Sequence, residues 1–403
     1  MTAPLDRRLG LVGSVAVGMS AMIGAGLFVV FPPAVSAAGD GLLVALAMAA
    51  VVAACNAISS ARLARRHAVA GGTYVYGREQ LGPLWGYVAG WSFIAGKLAS
   101  CAAMAFALGS YLWPDHARLG ALAAVAVFTA VNLTGVEKSA AVSLPLVAGV
   151  VAIVVVAVIA MSSGSAASSP DLPTSSGGVL EAAGLLFFAF AGYARLATLG
   201  EEVREPARTI PRAIGVTFIL VLALYTAAAL ALLHVLGAAG LADSVRPFVS
   251  GVEAVDADGL VPLVLVAAAL AAGGALLSLM LGVSRTTLAM ARDGHLPRGL
   301  AAVSVRTRVP HVAEIAVAVV VAALVCFGDL VTSVAFSSFC VLIYYAIANA
   351  SAWTLGRAVV PRLVAALGLV GCATLALSLP ASTIVVGAIV VAVGVVFYAL
   401  RRH

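Results

Sequence analysis

The chain has 403 residues, 63% of them hydrophobic and 10% charged, against roughly 45–50% and 25% in an average soluble domain. Its 23 basic and 17 acidic side chains cannot cover the surface of a water-soluble protein of this length, so an ordinary soluble enzyme is excluded. A mean hydropathy of +1.12, and 40 glycines without a Gly-X-Y period, exclude collagen-like and disordered chains as well.

The remaining solvent is lipid, and the expected fold is an all-α integral membrane protein forming one domain over residues 1–403. A span needs about 20 apolar residues to cross a ~30 Å hydrocarbon core. Twelve segments qualify in chain order: Leu11 to Ala37, Leu42 to Ala61, Leu84 to Trp113, Leu119 to Val136, Ala140 to Met161, Val179 to Gly200, Ala213 to Leu236, Leu260 to Met290, Pro310 to Phe327, Leu330 to Leu355, Leu363 to Leu379 and Ser382 to Leu400. The runs are continuously apolar and lack the alternation of barrel strands. Arg7 and Arg8 before the first run resemble a secretory signal, but the run is too long and has further spans behind it. Two outer connections, Ser162 to Gly178 and Gly237 to Gly259, read as solvated loops.

When the connections are assigned alternately to the two sides, 18 of the 23 cations fall on the side of the N-terminus. Two, Arg118 and Arg246, fall on the other, and three, Lys97, Arg195 and Arg285, lie within spans. The bias puts both termini in the cytoplasm of a cell whose plasma membrane the chain spans. Short basic loops facing anionic lipid account for the formal charge of +6, so no nucleic-acid partner is expected. The five cysteines lie in apolar runs without a CxxC pair, and the six histidines are scattered. No metal, cofactor or nucleotide site is expected, nor any motif that sets an oligomeric state.

The first span carries GMSAMIGAGLF (Gly18 to Phe28), with Gly24 and Gly26 near its middle. Glycines there permit either close helix packing or unwinding. A break turns amide N–H groups toward an anion and carbonyls toward a cation, the two charges of an α-amino acid. The sixth span carries FFAFAGYARLATLGEE (Phe187 to Glu202), interrupted at Ala191 and Gly192. Two interruptions at matching places in two halves favour unwinding around a midplane site. Phe187, Phe188, Phe190 and Tyr193 are candidates for a lid or pocket there, with core packing the alternative.

Four stretches together resemble the amino acid–polyamine–organocation (APC) family of permeases, which share the LeuT-type fold. They are IGAGLF, AGGTYVYGREQLGPLWGYVAGW (Ala70 to Trp91), FFAFAGYARLATLGEEVREPARTIPRAI and SRTTLAMARDGHLP (Ser284 to Pro297), covering roughly the first 310 residues in order. The resemblance implies a secondary amino acid transporter working by alternating access. It has two inverted repeats of five spans, residues 11–161 and 179–355, with discontinuous spans 1 and 6. Two further spans follow over 363–400. The substrate carboxylate would meet the amides of Gly24, Ala25 and Gly26. Its amino group would meet carbonyls around Ala21, Met22 and Ile23 and, from span 6 beside Gly192, those of Phe188, Ala189 and Phe190. Glu201 and Glu202, facing Arg204, Arg208 and Arg212, would join the ARDGHLP stretch at a cytoplasmic gate, a solvated charge run being the alternative.

Three residues bear on coupling. Lys97 stands mid-span, roughly 20 Å from either end at about 1.5 Å per residue, too deep to snorkel. It either replaces a coupling cation, carries a proton, or is a structural buried charge. Arg195, just past the span 6 break, is expected to face inward and pair with Glu181 or Glu201, line the path, or select acidic side chains. Ser278 lies near where relatives place a sodium-ligating hydroxyl, although Lys97 favours H+ over sodium. The leading expectation is proton-linked amino acid uptake or exchange. An exporter and a non-transporting amino acid sensor are the alternatives, the latter disfavoured because only three residues follow Leu400.

Overall fold

The computed structural model describes residues 9–67, 71–135, 140–167, 172–193, 196, 203–304, 307 and 309–401. Among these residues there is no strand; the one β-type pairing is a single bridge between Leu9 and Val203. The helices are α1 (Leu11–Ile23), α2 (Ala25–Val29), α3 (Phe31–Ala38), α4 (Leu42–Arg66), α5 (Thr73–Leu81), α6 (Pro83–Leu112), α7 (Ala117–Leu133) and α8 (Ala140–Ser162). Then follow α9 (Ser176–Phe190), α10 (Pro206–Ala242), α11 (Pro247–Glu253), α12 (Val261–Arg292), α13 (His311–Phe327), α14 (Leu330–Trp353), α15 (Val359–Leu377) and α16 (Ala381–Arg401).

Among the described residues, eleven helices or joined helices are long and apolar enough to cross a bilayer. The ninth expected segment forms α13, which at 17 residues is shorter. The first expected span is divided into α1, α2 and α3. Val30 keeps helical angles between the last two, so that stretch stays nearly continuous while the division at Gly24 is sharp. The expected loop from Gly237 to Gly259 instead contains the end of α10, a kink at Gly237 (φ 65°) and the helix α11. The cause is an apolar face: Phe248, Val249 and Val252 are buried, and the Phe248 ring lies 5.2 Å from that of Phe28.

The bundle is centred on α6, which packs against α14 and α12. Small residues let these backbones approach: a Cβ built on Gly96 would stand 2.9 Å from the Cβ of Cys340. At the same seam Ser100 and Ser337 share a hydrogen bond of 2.7 Å. Such small-residue faces, with hydroxyls bonding across, are how helices associate where lipid removes the hydrophobic drive between them. The outer helices show the inverse pattern. Val155, Val156 and Ile159 on α8, Leu363, Leu367 and Val370 on α15, and Val385, Ile389 and Val396 on α16 are all exposed. An apolar outer surface of this extent fits hydrocarbon as solvent. Inside, Asn349 of α14 donates to Asn56 of α4 at 2.6 Å, and Cys372 of α15 lies 3.4 Å from the same oxygen.

Candidate functional site

The helical run of the first span stops at Ile23. Gly24 takes φ −38° and ψ −150°, and α2 restarts at Ala25. On the sixth span α9 stops at Phe190 and gives way to a 3-10 turn over Ala191–Tyr193. Both interruptions therefore fall where the glycines placed them, and they touch. A Cβ on Gly26 would lie 2.9 Å from Cα and Cβ of Ala189, and one on Gly192 would strike the Ala21 carbonyl. Only glycine allows backbone against backbone at these two points.

Two helix C-terminal ends, those of α1 and α9, thus converge, and each leaves carbonyls without intrahelical partners. Three side chains meet them. The Tyr225 hydroxyl of α10 lies 2.5 Å from the Met22 carbonyl and 3.1 Å from that of Ala189. It has one proton, so it donates to one carbonyl at a time. Lys97 Nζ donates to the Ala191 carbonyl at 3.5 Å, and the Tyr345 hydroxyl of α14 donates to the same oxygen at 3.3 Å. Lys97 is only 6% exposed. Its charge sits at the negative end of α9, where a cation is favoured.

Phe187, Phe190 and Tyr193 are fully buried. Phe190 packs on Tyr225 with ring centroids 5.3 Å apart, and Tyr193 lies 4.9 Å from Tyr345. Their surroundings are those of core packing; Phe188 is also buried. Ser278 of α12 is exposed, and its hydroxyl donates to its own helix at the Gly274 carbonyl, 2.9 Å away. It borders a cleft with about 40 Å³ of water-sized space, shared with Ser20 and Ile23 of α1, with Gly24 at the break and with Val147 and Val150 of α8. That volume takes about one water.

At the expected cytoplasmic mouth, Arg195, Glu201 and Glu202 lie outside the described residues. Arg204 is exposed and its amide donates to the Leu9 carbonyl at 2.9 Å. Arg208 pairs with Glu205 at 3.6 Å on an exposed turn, so its described partner is not one of the two glutamates expected. The ARDGHLP loop is held more firmly. Tyr74 of α5 donates to Asp293 Oδ2 at 2.5 Å, and His295 Nδ1 stands 3.0 Å from the same hydroxyl. Arg78 reaches Asp293 at 3.7 Å, and Arg401 of α16 donates to the Gly294 carbonyl at 3.1 Å. Burial, then the bond to Asp293, raises the Tyr74 phenol above its ordinary value. Burial lowers the His295 imidazole, against the pull of Asp293 and with the help of Arg78 and Arg401.

Sequence reasoning did not single out Tyr225, Tyr345 or Tyr74. Each is one aromatic in an apolar or mixed run, and its partner lies on another helix, two of the three being backbone carbonyls. The stretches containing Tyr74 and Asp293 were visible as motifs, but their contact was not.

These features define a multi-pass helical membrane protein built around two interrupted helices. The profile of the amino acid permease family matches residues 13–401, and the chain belongs to that family, within the APC group of transporters. It is 54% identical over 405 residues to an uncharacterized transporter of Mycobacterium tuberculosis, covering 99% of this chain and 92% of the relative. The branched-chain amino acid permease of Bacillus subtilis is 26% identical over 335 residues, 77% of this chain and 72% of the relative. The vacuolar cationic amino acid transporter 2 of Arabidopsis thaliana is 27% identical over 355 residues, 81% of this chain and 56% of the relative. The family and these relatives point to amino acid transport, not to enzyme chemistry.

Proposed function

We propose that the chain is a secondary transporter that moves amino acids across the cytoplasmic membrane by alternating access, with proton coupling and both termini in the cytoplasm. The observation that carries this reading is the convergence of the α1 and α9 ends. Among the described residues, the side chains that donate to the carbonyls of Met22, Ala189 and Ala191 there are one lysine and two tyrosines. An α-ammonium is a better partner for such carbonyls than a hydroxyl, because charge-assisted hydrogen bonds are about twice as strong. The amides of Gly24, Ala25 and Gly26 open the helical stretch that continues into α3, and they supply the opposite polarity for the α-carboxylate. Backbone contacts of this kind recognise an amino acid as a class. In this reading the two five-span repeats, 11–161 and 179–355, move against each other around the crossing, and residues 363–400 add spans 11 and 12.

Lys97 is assigned the coupling role, either as a fixed substitute for a coupling cation or as the proton carrier. Its ammonium ties α6 to the end of α9, and loss of its proton would weaken that tie by removing the charge that assists the bond. Counterflow of radiolabelled amino acids into proteoliposomes tests transport, and an imposed pH gradient tests coupling. Lys97→Ala is expected to lose the pH dependence of uptake; a variant with uptake and pH profile both intact would sink the assignment.

A further inference from the structure

Beyond the crossing, the described residues bury one acid. Glu314, in the first turn of α13, is 0% exposed. Asn132 of α7 donates from Nδ2 to Glu314 Oε1 at 2.7 Å and also lies 3.3 Å from the Leu277 carbonyl of α12. The second oxygen, Oε2, is buried and has no hydrogen-bond partner among the described residues. No described salt bridge reaches it. One turn earlier, His311 also carries a buried Nδ1 without a partner. Residues three apart on a helix are neighbours, with Cβ atoms about 5–6 Å apart.

The elements packed on α13 are α6, α7, α12 and the 3-10 turn Arg298–Ala301. On α6, Cys101 follows Lys97 by one turn and is in electrostatic reach of both Lys97 and Glu314; Tyr87 and Tyr111 lie nearer the helix ends. The titratable group on α7 is Arg118, at the opposite end, where it donates to the Gly328 carbonyl. On α12 they are Arg285 and Arg292, and on the turn Arg298.

A helix N-terminus favours an acidic side chain, which explains tolerance of a carboxyl at this place. It does not explain a carboxyl sealed from water with one oxygen idle, because a buried carboxylate is penalised unless both its charge and its lone pairs are met. A proton is the ligand that removes that charge without needing space. Asn132 can donate to Oε1 whether or not Oε2 carries a proton, so it keeps the carboxyl oriented in both forms.

We propose that Glu314 is a proton-binding site of the transport cycle, exchanged with the cytoplasmic end of α13 past His311. The proposal rests on the proton-coupled reading above. In loading, an O–H bond forms at Oε2 as an N–H bond of the His311 imidazolium or an O–H bond of hydronium breaks. In unloading the same bonds are exchanged in reverse, and no other reactant takes part.

The substrate-free test is an infrared difference spectrum of the purified full chain between acid and alkaline buffer. Wild type is expected to show the C=O stretch of a protonated buried carboxyl, absent in Glu314→Gln and shifted in frequency in Glu314→Asp. Superimposable spectra of wild type and either variant that folds would overturn the proposal. Dicyclohexylcarbodiimide, which adds to protonated carboxyls in apolar surroundings, provides an arm that needs no variant. It is expected to label Glu314 of wild type more in acid than in alkali, and pH-independent labelling counts against the site. In proteoliposomes with radiolabelled leucine and arginine as probes, one proton per substrate gives about tenfold accumulation per pH unit. Glu314→Gln is expected to lose that accumulation while exchange falls less. Equal accumulation in wild type and variant overturns the Glu314 proposal alone. A wild type that accumulates neither probe overturns the coupling reading and with it Glu314's part in a cycle, while the infrared band still reports the proton.

Discussion

Tyr225 places a single hydroxyl between the ends of two interrupted helices, within reach of Met22 and Ala189 carbonyls. Its ring is fixed by Phe190, 5.3 Å away, so the hydroxyl is held in place for one purpose. Tyr225→Phe keeps the packing and removes the donor, leaving two buried carbonyls without it at a cost of about 1–3 kcal/mol. If that cost falls on the crossing, initial uptake per folded transporter should drop about fivefold or more, since 1.4 kcal/mol is tenfold. An uptake rate within twofold of wild type would show that the hydroxyl is dispensable. This residue was invisible in the sequence for a physical reason: helical periodicity says which face is apolar, but α10 is apolar all round, so nothing marks the direction in which its one tyrosine points. Glu314 escaped notice for a related reason, because an acid four residues from a span end reads as interfacial until packing seals it.

At the scale of elements, helix existence and extent were legible because a bilayer demands continuous apolar length, and the Gly24 and Gly192 interruptions were legible because few residues other than glycine permit backbone contact. What the pattern concealed was how short elements fold back, as α11 does on Phe28 and α5 on the ARDGHLP loop. The α5 contact makes a pH-dependent clasp. His295 is lowered by burial, so the clasped state binds fewer protons than the released state between that lowered value and the ordinary value near 6.5. The clasp is therefore fully held above about pH 6.5 and weakens as the pH falls through that window. Tyr74, raised by burial and Asp293, remains a donor throughout. Hydrogen-exchange protection over residues 290–297, corrected for the intrinsic pH dependence of amide exchange, should fall on acidification in wild type and lose that dependence in His295→Gln. An unchanged profile in the variant would place the titration elsewhere.

On the scale of the whole molecule, the distribution of cations predicts orientation with no reference to contacts. Asp258 and Arg357 are both exposed and belong to opposite sides in that prediction. In a background with Cys326, the exposed native thiol, changed to serine, a membrane-impermeant maleimide applied to intact cells should modify Asp258→Cys and spare Arg357→Cys. The reverse pattern would invert the molecule in the membrane. The Asn56, Asn349 and Cys372 contact also bears on biogenesis. Its partners are separated by 293 and 316 residues of chain, and chains emerge from the ribosome N-terminus first. During synthesis α4 is thus inserted with a polar amide exposed to lipid or to temporary neighbours until α14 and α15 arrive. The span that waits longest for its partner is the one a membrane chaperone, or a quality-control protease, would meet first.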